Sequence, residues 1–187
     1  MKKTIQIIVL AALCLFLSSA AQAQTKPLKV GYQLPDITIN NIINYKSSSA
    51  KLSDFRGKLL ILDFWATWCG SCIKKFPLLD SMQVAHNDKL QVLLVSSRSS
   101  GDTPAKISAL LEKHQNAAGK DFKLPVALGD TVLKALFPHS SLPYYVWIGP
   151  GGKVIAITSS AGLTAANIFA ALKNESIPLV EPTTGSK

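Results

Sequence analysis

The stretch "LLILDFWA", Leu59 to Ala66, is apolar at every position but one, and "LQVLLVSS", Leu90 to Ser97, is nearly continuous in the same way. Apolar runs of strand length without alternation belong to strands buried on both faces. Between them, Phe76, Leu79 and Met82 recur at helical spacing against Lys74, Lys75 and Asp80, which predicts a helix starting near Cys69. A second helix is expected over 103–115. There Thr103 can cap the start, Pro104 fits the first helical position, and Ile107, Leu110 and Leu111 share one face. A short strand (124–128), a short helix (130–137) and a hairpin (144–160) turning at Gly149-Pro150-Gly151-Gly152 follow, then a closing helix (164–175). Upstream, Ile37 and Ile39 alternate with polar residues, Asn40-Asn41 suits a turn, and Ile42, Ile43 and Tyr45 resume the pattern. A small hairpin is therefore expected over 36–46, joined to the first buried strand by a polar connection that ends at Gly57.

Strands alternating with helices and then a hairpin predict an α/β domain, a mixed sheet with helices on both faces. The 187 residues suit one domain, and neither an internal repeat nor a second domain is visible. The first 23 residues have another character. Lys2 and Lys3 precede an apolar run, Ile7 to Leu17, which ends in Ala21-Gln22-Ala23, the pattern of a secretory leader cleaved before Gln24. The run is short for a membrane anchor. Cys14 lies within it, but Leu13 stands where a lipoprotein signal usually has a small residue. The expected organisation is thus a leader (1–23), one domain (24–175) and a disordered tail (176–187) containing Pro178 and Pro182. The mature chain is expected in the periplasm or otherwise outside the cytoplasm.

Removing Lys2 and Lys3 lowers the formal charge from +9 to +7. The remaining lysines are scattered without interleaved aromatics, which indicates a solvated basic surface and no nucleic-acid partner.

Cleavage also removes Cys14 and leaves Cys69 and Cys72 alone. A bridge between them closes a tiny loop and constrains the unfolded chain little, so it is a poor structural staple. A zinc site needs two more ligands, and His86, His114 and His139 are single and far apart. A redox pair remains. A thiol attacks as its thiolate, and the start of a helix, with free N–H groups, favours that anion. Cys69 is expected at the exposed first turn as the attacking thiol, with Cys72 one turn on to resolve the mixed disulfide.

"LDFWATWCGSC" with Pro77 five residues later resembles the thioredoxin superfamily. More narrowly, "FWATWC" after "LSDFRGK", the amino-terminal hairpin and the helix–strand unit over 103–128 resemble the secreted TlpA/ResA-like thiol-disulfide oxidoreductases. The resemblance covers roughly residues 30–175. It implies a thioredoxin fold: a central mixed β-sheet flanked by helices, with an amino-terminal β-hairpin and an inserted helix–strand unit. It also implies a cis peptide at Leu142-Pro143, facing the cysteines, where a proline without an N–H lets the preceding backbone pair with an extended peptide of the partner. Asp63 is a carboxylate inside an apolar strand, so it needs a raised pKa or a partner. In thioredoxins an aspartate at the matching place helps move the proton of the second cysteine, although many secreted relatives lack it. Pro77 is expected to kink the helix, and Trp68 to cover the site. The histidines are read as surface or edge residues.

The expected function is exchange of the Cys69–Cys72 dithiol for disulfides in secreted or periplasmic proteins, in the reducing direction. No cofactor or metal is expected. An upstream thiol electron donor, membrane-borne, would reset the pair, and the protein is expected to act as a monomer. Cytochrome c maturation is an alternative within the class, and a non-catalytic binding module one outside it. A thiol peroxidase needs its cysteine in a P-x-x-x-T-x-x-C context, but the proline is missing and Thr67 is out of place.

Overall fold

The computed structural model describes residues 26–118 and 122–178. The leader expected at 1–23, with Cys14, lies outside the described residues, as does the expected tail from 179 onward. The elements are β1 (Thr38–Asn40), β2 (Ile42–Ile43), β3 (Ser49–Lys51), β4 (Leu59–Trp65), α1 (Gly70–Ile73), α2 (Phe76–Ala85), β5 (Leu90–Ser97), α3 (Pro104–Ala118), β6 (Val126–Asp130), α4 (Val132–Leu136), β7 (Tyr144–Ile148), β8 (Val154–Thr158) and α5 (Ala165–Leu172). Six strands form one sheet in the order β2-β6-β5-β4-β7-β8. β4, β5 and β6 run parallel, while β2, β7 and β8 pair antiparallel with their neighbours.

All seven residues of β4 are buried, because its alternate side chains enter two different apolar layers. Leu59, Ile61 and Trp65 join a layer built with Cys72, Phe76, Leu79 and Met82 of α1 and α2, Ile107 and Leu111 of α3, and Ile168 of α5. Leu60, Leu62 and Phe64 join the opposite layer with Phe55, Leu133, Leu136 and Phe137. Each large apolar side chain buried this way contributes about 1.5–3 kcal/mol. Thr103 and Thr164 cap α3 and α5, their hydroxyls accepting from Lys106 N–H at 3.3 Å and Asn167 N–H at 3.1 Å. The expected inserted unit is α3 followed by β6.

Three expectations change in detail. The amino-terminal two-stranded sheet forms, but β1 pairs with β3, Ile39 opposite Ala50, while β2 crosses to the main sheet and pairs with β6. Asn41 and Asn44 take φ of 55° and 56°, and these left-handed steps turn the chain at each end of β2. The strand β3 comes from the segment read as a polar connection, with Ala50 packed inward. Second, the helix after the cysteines is two helices. Pro77 has no N–H for the carbonyl of Ile73, four residues back, so α1 ends at Ile73. Pro77 sits instead in the first turn of α2, where no donor is required. Third, Ile177, at the head of the expected tail, is buried in the layer that holds Cys72.

Candidate active site

Trp65 is level with Ser96 in the β4–β5 register, so the two parallel strands end together. The loops that follow them emerge side by side at the carboxyl edge of the sheet, where α/β folds place their sites. The loop after β4 leads into Cys69, the N-cap of α1. Its N–H bonds the Ala66 carbonyl at 3.0 Å, and its sulfur accepts from Cys72 N–H at 3.3 Å. Cys69 and Cys72 are joined as a disulfide, with Cα atoms 5.3 Å apart. Because α1 is a single turn, local support for a Cys69 thiolate comes from this N–H rather than from a long-helix dipole.

The expected exposure of Cys69 is corrected. It is only 5% exposed, because its sulfur turns inward to Cys72 and packs in the layer with Trp65 and Ala66. Cys72 is 0% exposed, so Cys69 is still the more exposed residue of the pair.

Asp63 is fully buried, and neither of its carboxylate oxygens has a hydrogen-bond partner. Burial holds its carboxyl well above the usual carboxylate range. Strand alternation puts Asp63 on the face of Ile61 and Trp65, the face covered by Cys72. Its cross-strand neighbours are Leu94 on β5 and Tyr145 on β7.

The Leu142–Pro143 peptide is cis. Pro143 is buried, and Leu142 packs against both apolar layers. Tyr144 pairs with Phe64, which puts the preceding Pro143 level with Trp65 at the end of β4. Trp68 is 66% exposed, and its Nε1–H donates to the Ser100 carbonyl at 3.0 Å. Among the described residues, no three or more His, Cys, Asp or Glu side chains gather as metal ligands.

The family model described as the AhpC/TSA family matches residues 30–156. The chain belongs to the AhpC/TSA family. It is 25% identical over 163 residues to "Thiol-disulfide oxidoreductase ResA" of Oceanobacillus iheyensis, covering 86% of this chain and 80% of that protein. It is 28% identical over 116 residues to "Thioredoxin-like protein YneN" of Bacillus subtilis, covering 62% of this chain and 63% of that one, less than two thirds of its length. Among solved structures it resembles a putative "Thiol:disulfide interchange protein DsbE" from Chlorobium tepidum, with a TM-score of 0.59 and 28% identity, covering 78% of this chain and 99% of that one. Within its family the chain is a thioredoxin-like thiol-disulfide oxidoreductase of the ResA type, and Cys69–Cys72 is its CxxC pair.

Sequence reasoning missed Tyr145 and Asp102 near this pair, and the burial of His139 against the opposite apolar layer. Tyr145 is fully buried, its hydroxyl has no partner, and its ionisation is pushed up by burial and then by the charge of Asp63. Asp102, on the loop after β5, holds Thr67. His139, read as a surface or edge residue, is half-buried. Its ring stacks on Tyr144 with centroids 4.6 Å apart and lies 4.7 Å from the Phe64 ring. Burial pushes its pKa down to about 4; the Phe137 carbonyl, 2.8 Å from Nδ1, opposes that, and the Lys134 charge adds to it. The Lys134 ammonium donates to the His139 carbonyl. The alternation of β7 is the signal that would have put Tyr145 on one face with Trp147, and His139 stood out only as the histidine nearest the Pro143 loop; nothing local pointed to Asp102.

Proposed function

We propose that this chain reduces disulfide bonds in proteins outside the cytoplasm, with Cys69 attacking and Cys72 resolving. The carrying observation is the pair itself, with Cys69 the more exposed residue, next in the chain to exposed Trp68, and Cys72 fully buried. In the reduced protein the Cys69 thiolate attacks one sulfur of a partner disulfide. The mixed disulfide forms and the partner's other sulfur leaves as a thiolate. Cys72 then gives its proton to Asp63 and attacks the Cys69 sulfur, which releases the partner's second thiolate and closes Cys69–Cys72. Asp63 serves as the general base for this second step in its ionised form, and burial, which raises its proton affinity, makes that form the stronger base.

Trp68, Leu142 and Pro143 would receive an extended segment of the partner. Two electrons move between sulfurs, so the reaction needs no bound cofactor, only an upstream thiol donor, membrane-borne, to restore the dithiol. The pattern of residues 1–23 supports a leader and a periplasmic domain over 24–175.

Equilibration of the pair with a glutathione or dithiothreitol series tests the direction. Potentials on this fold span about −270 to −120 mV, and a reductase belongs near the lower end. A value near the upper end, with no reduction of insulin disulfides, would make the chain an oxidase.

A further inference from the structure

The loop after β5 grips the two residues that precede Cys69. Asp102 Oδ2 accepts the Thr67 backbone N–H at 2.8 Å, and its Oδ1 accepts the Thr67 hydroxyl at 2.5 Å. One residue on, Trp68 donates to the carbonyl of Ser100 in the same loop. The loop is itself braced. Ser100 Oγ accepts from Asp102 N–H at 3.2 Å and lies 3.5 Å from Ser96 Oγ at the end of β5. Gly101, at φ 75°, supplies the left-handed step between Ser100 and Asp102.

We propose that Asp102 is a positioning residue for thiol–disulfide exchange. By holding Thr67 from both its backbone and its side chain, it fixes the direction in which the chain enters Cys69. Through Ser100, the same loop holds Trp68 as a wall of the site. Attack on a disulfide requires the incoming sulfur to line up with the bond it breaks, and Cys69 can be aimed only through the backbone that leads to it. Beyond the Cys69 N–H bond to Ala66, that backbone is fixed to the body of the protein by Asp102. A misplacement of about 1 Å can cost up to about a hundredfold in rate. The proposal rests on Cys69 being the attacking thiol.

The test measures the first step alone. In a Cys72→Ser parent, resolution cannot occur, and the rate of mixed-disulfide formation is followed by stopped flow with dithiodipyridine and with a peptide disulfide. Asp102→Ala in this parent is expected to slow attack by about 10- to 100-fold. Asp102→Asn is expected to restore a rate close to the parent's, because the amide oxygen still accepts the Thr67 N–H while its NH2 donates to the Thr67 hydroxyl oxygen. Thr67→Val, which keeps the backbone bond and loses the hydroxyl one, is expected to slow attack by a smaller factor, and it carries the test if Asp102→Ala does not fold. A parent that does not react overturns the role of Cys69 and this proposal together. A reactive parent with Asp102→Ala and Thr67→Val equally fast overturns this proposal alone. Asp102→Asn as slow as Asp102→Ala also overturns it, since charge rather than grip would then be responsible.

Discussion

Asp63 and Tyr145 stand directly opposite each other across the β4–β7 ladder, both fully buried, and neither the carboxylate nor the phenol has a hydrogen-bond partner. Directly opposed residues of an antiparallel pair have Cβ atoms about 4.5–5.5 Å apart. Leu94, the neighbour of Asp63 on the other side, offers no polar group. An unsatisfied buried hydroxyl costs about 1–3 kcal/mol. Tyr145→Phe keeps the ring and removes that cost, so the variant is expected to unfold at higher denaturant concentration, by about 1–2 kcal/mol. A loss of stability would show that the hydroxyl is hydrogen-bonded in solution.

Asp63 itself ties stability to pH. Above the ordinary aspartate value of 3.8 the unfolded chain releases this proton while the folded chain keeps it. The folded state therefore binds more protons, and its stability falls as pH rises from about 4 to the elevated folded value. Asp63→Asn should abolish this slope and be more stable at neutral pH, by about 1.4 kcal/mol for each unit by which burial raises the carboxyl. The same variant should slow resolution by Cys72 by about 10² to 10⁴, with little change in attack by Cys69. Chemical denaturation from pH 4 to 8 and stopped-flow turnover read the two effects separately. Unchanged resolution from pH 6 to 8 would leave Asp63 a structural residue.

The division of labour in the pair follows from Cys69 being the more exposed residue and Cys72 the fully buried one. Cys72→Ser is expected to accumulate mixed disulfides with protein partners, visible on non-reducing gels and lost on reduction. Cys69→Ser should accumulate none. Trapping by Cys69→Ser alone would reverse the roles.

His139 gives a slope of the opposite sign. Its pKa is pushed from 6.5 down to about 4 in the folded protein. Between these values the unfolded chain binds the proton and the folded chain does not, so stability is full above pH 6.5 and is lost as pH falls toward about 4. His139→Gln should remove the His139 part of that acid slope while leaving neutral-pH stability close to the parent's. A slope unchanged in the variant would place the acid sensitivity elsewhere.

Features set by neighbours along the chain were legible in the sequence. The uniform burial of β4 and β5 follows from runs with no polar alternation, and the reading of 59–66 and 90–97 falls within a residue of Leu59–Trp65 and Leu90–Ser97. The cap of Thr103, the glycine turn between β7 and β8, and the placing of Cys69 at a helix start are equally local, since each depends on a few adjacent residues. Once Cys14 is assigned to the expected leader, the redox pair could be isolated by arithmetic, because two cysteines three residues apart can neither staple a domain nor complete a zinc site.

What the tertiary structure decided lies between segments. Whether β1 pairs with β2 or β3 depends on where the left-handed steps at Asn41 and Asn44 send the chain, and the alternation of Ile37 and Ile39 suits either partner. Cys69 is more buried than a helix start implies, because its sulfur turns to Cys72 beneath the loop. The grip of Asp102 on Thr67 spans 35 residues, and it exists because β4 and β5 are parallel and end level. Tyr145 meets Asp63 only through the register of β4 on β7. Periodicity and capping report which way each side chain points from its own element. They carry no information about which element lies opposite, and that register, set by packing the whole sheet between two apolar layers, determines the surroundings of the cysteines.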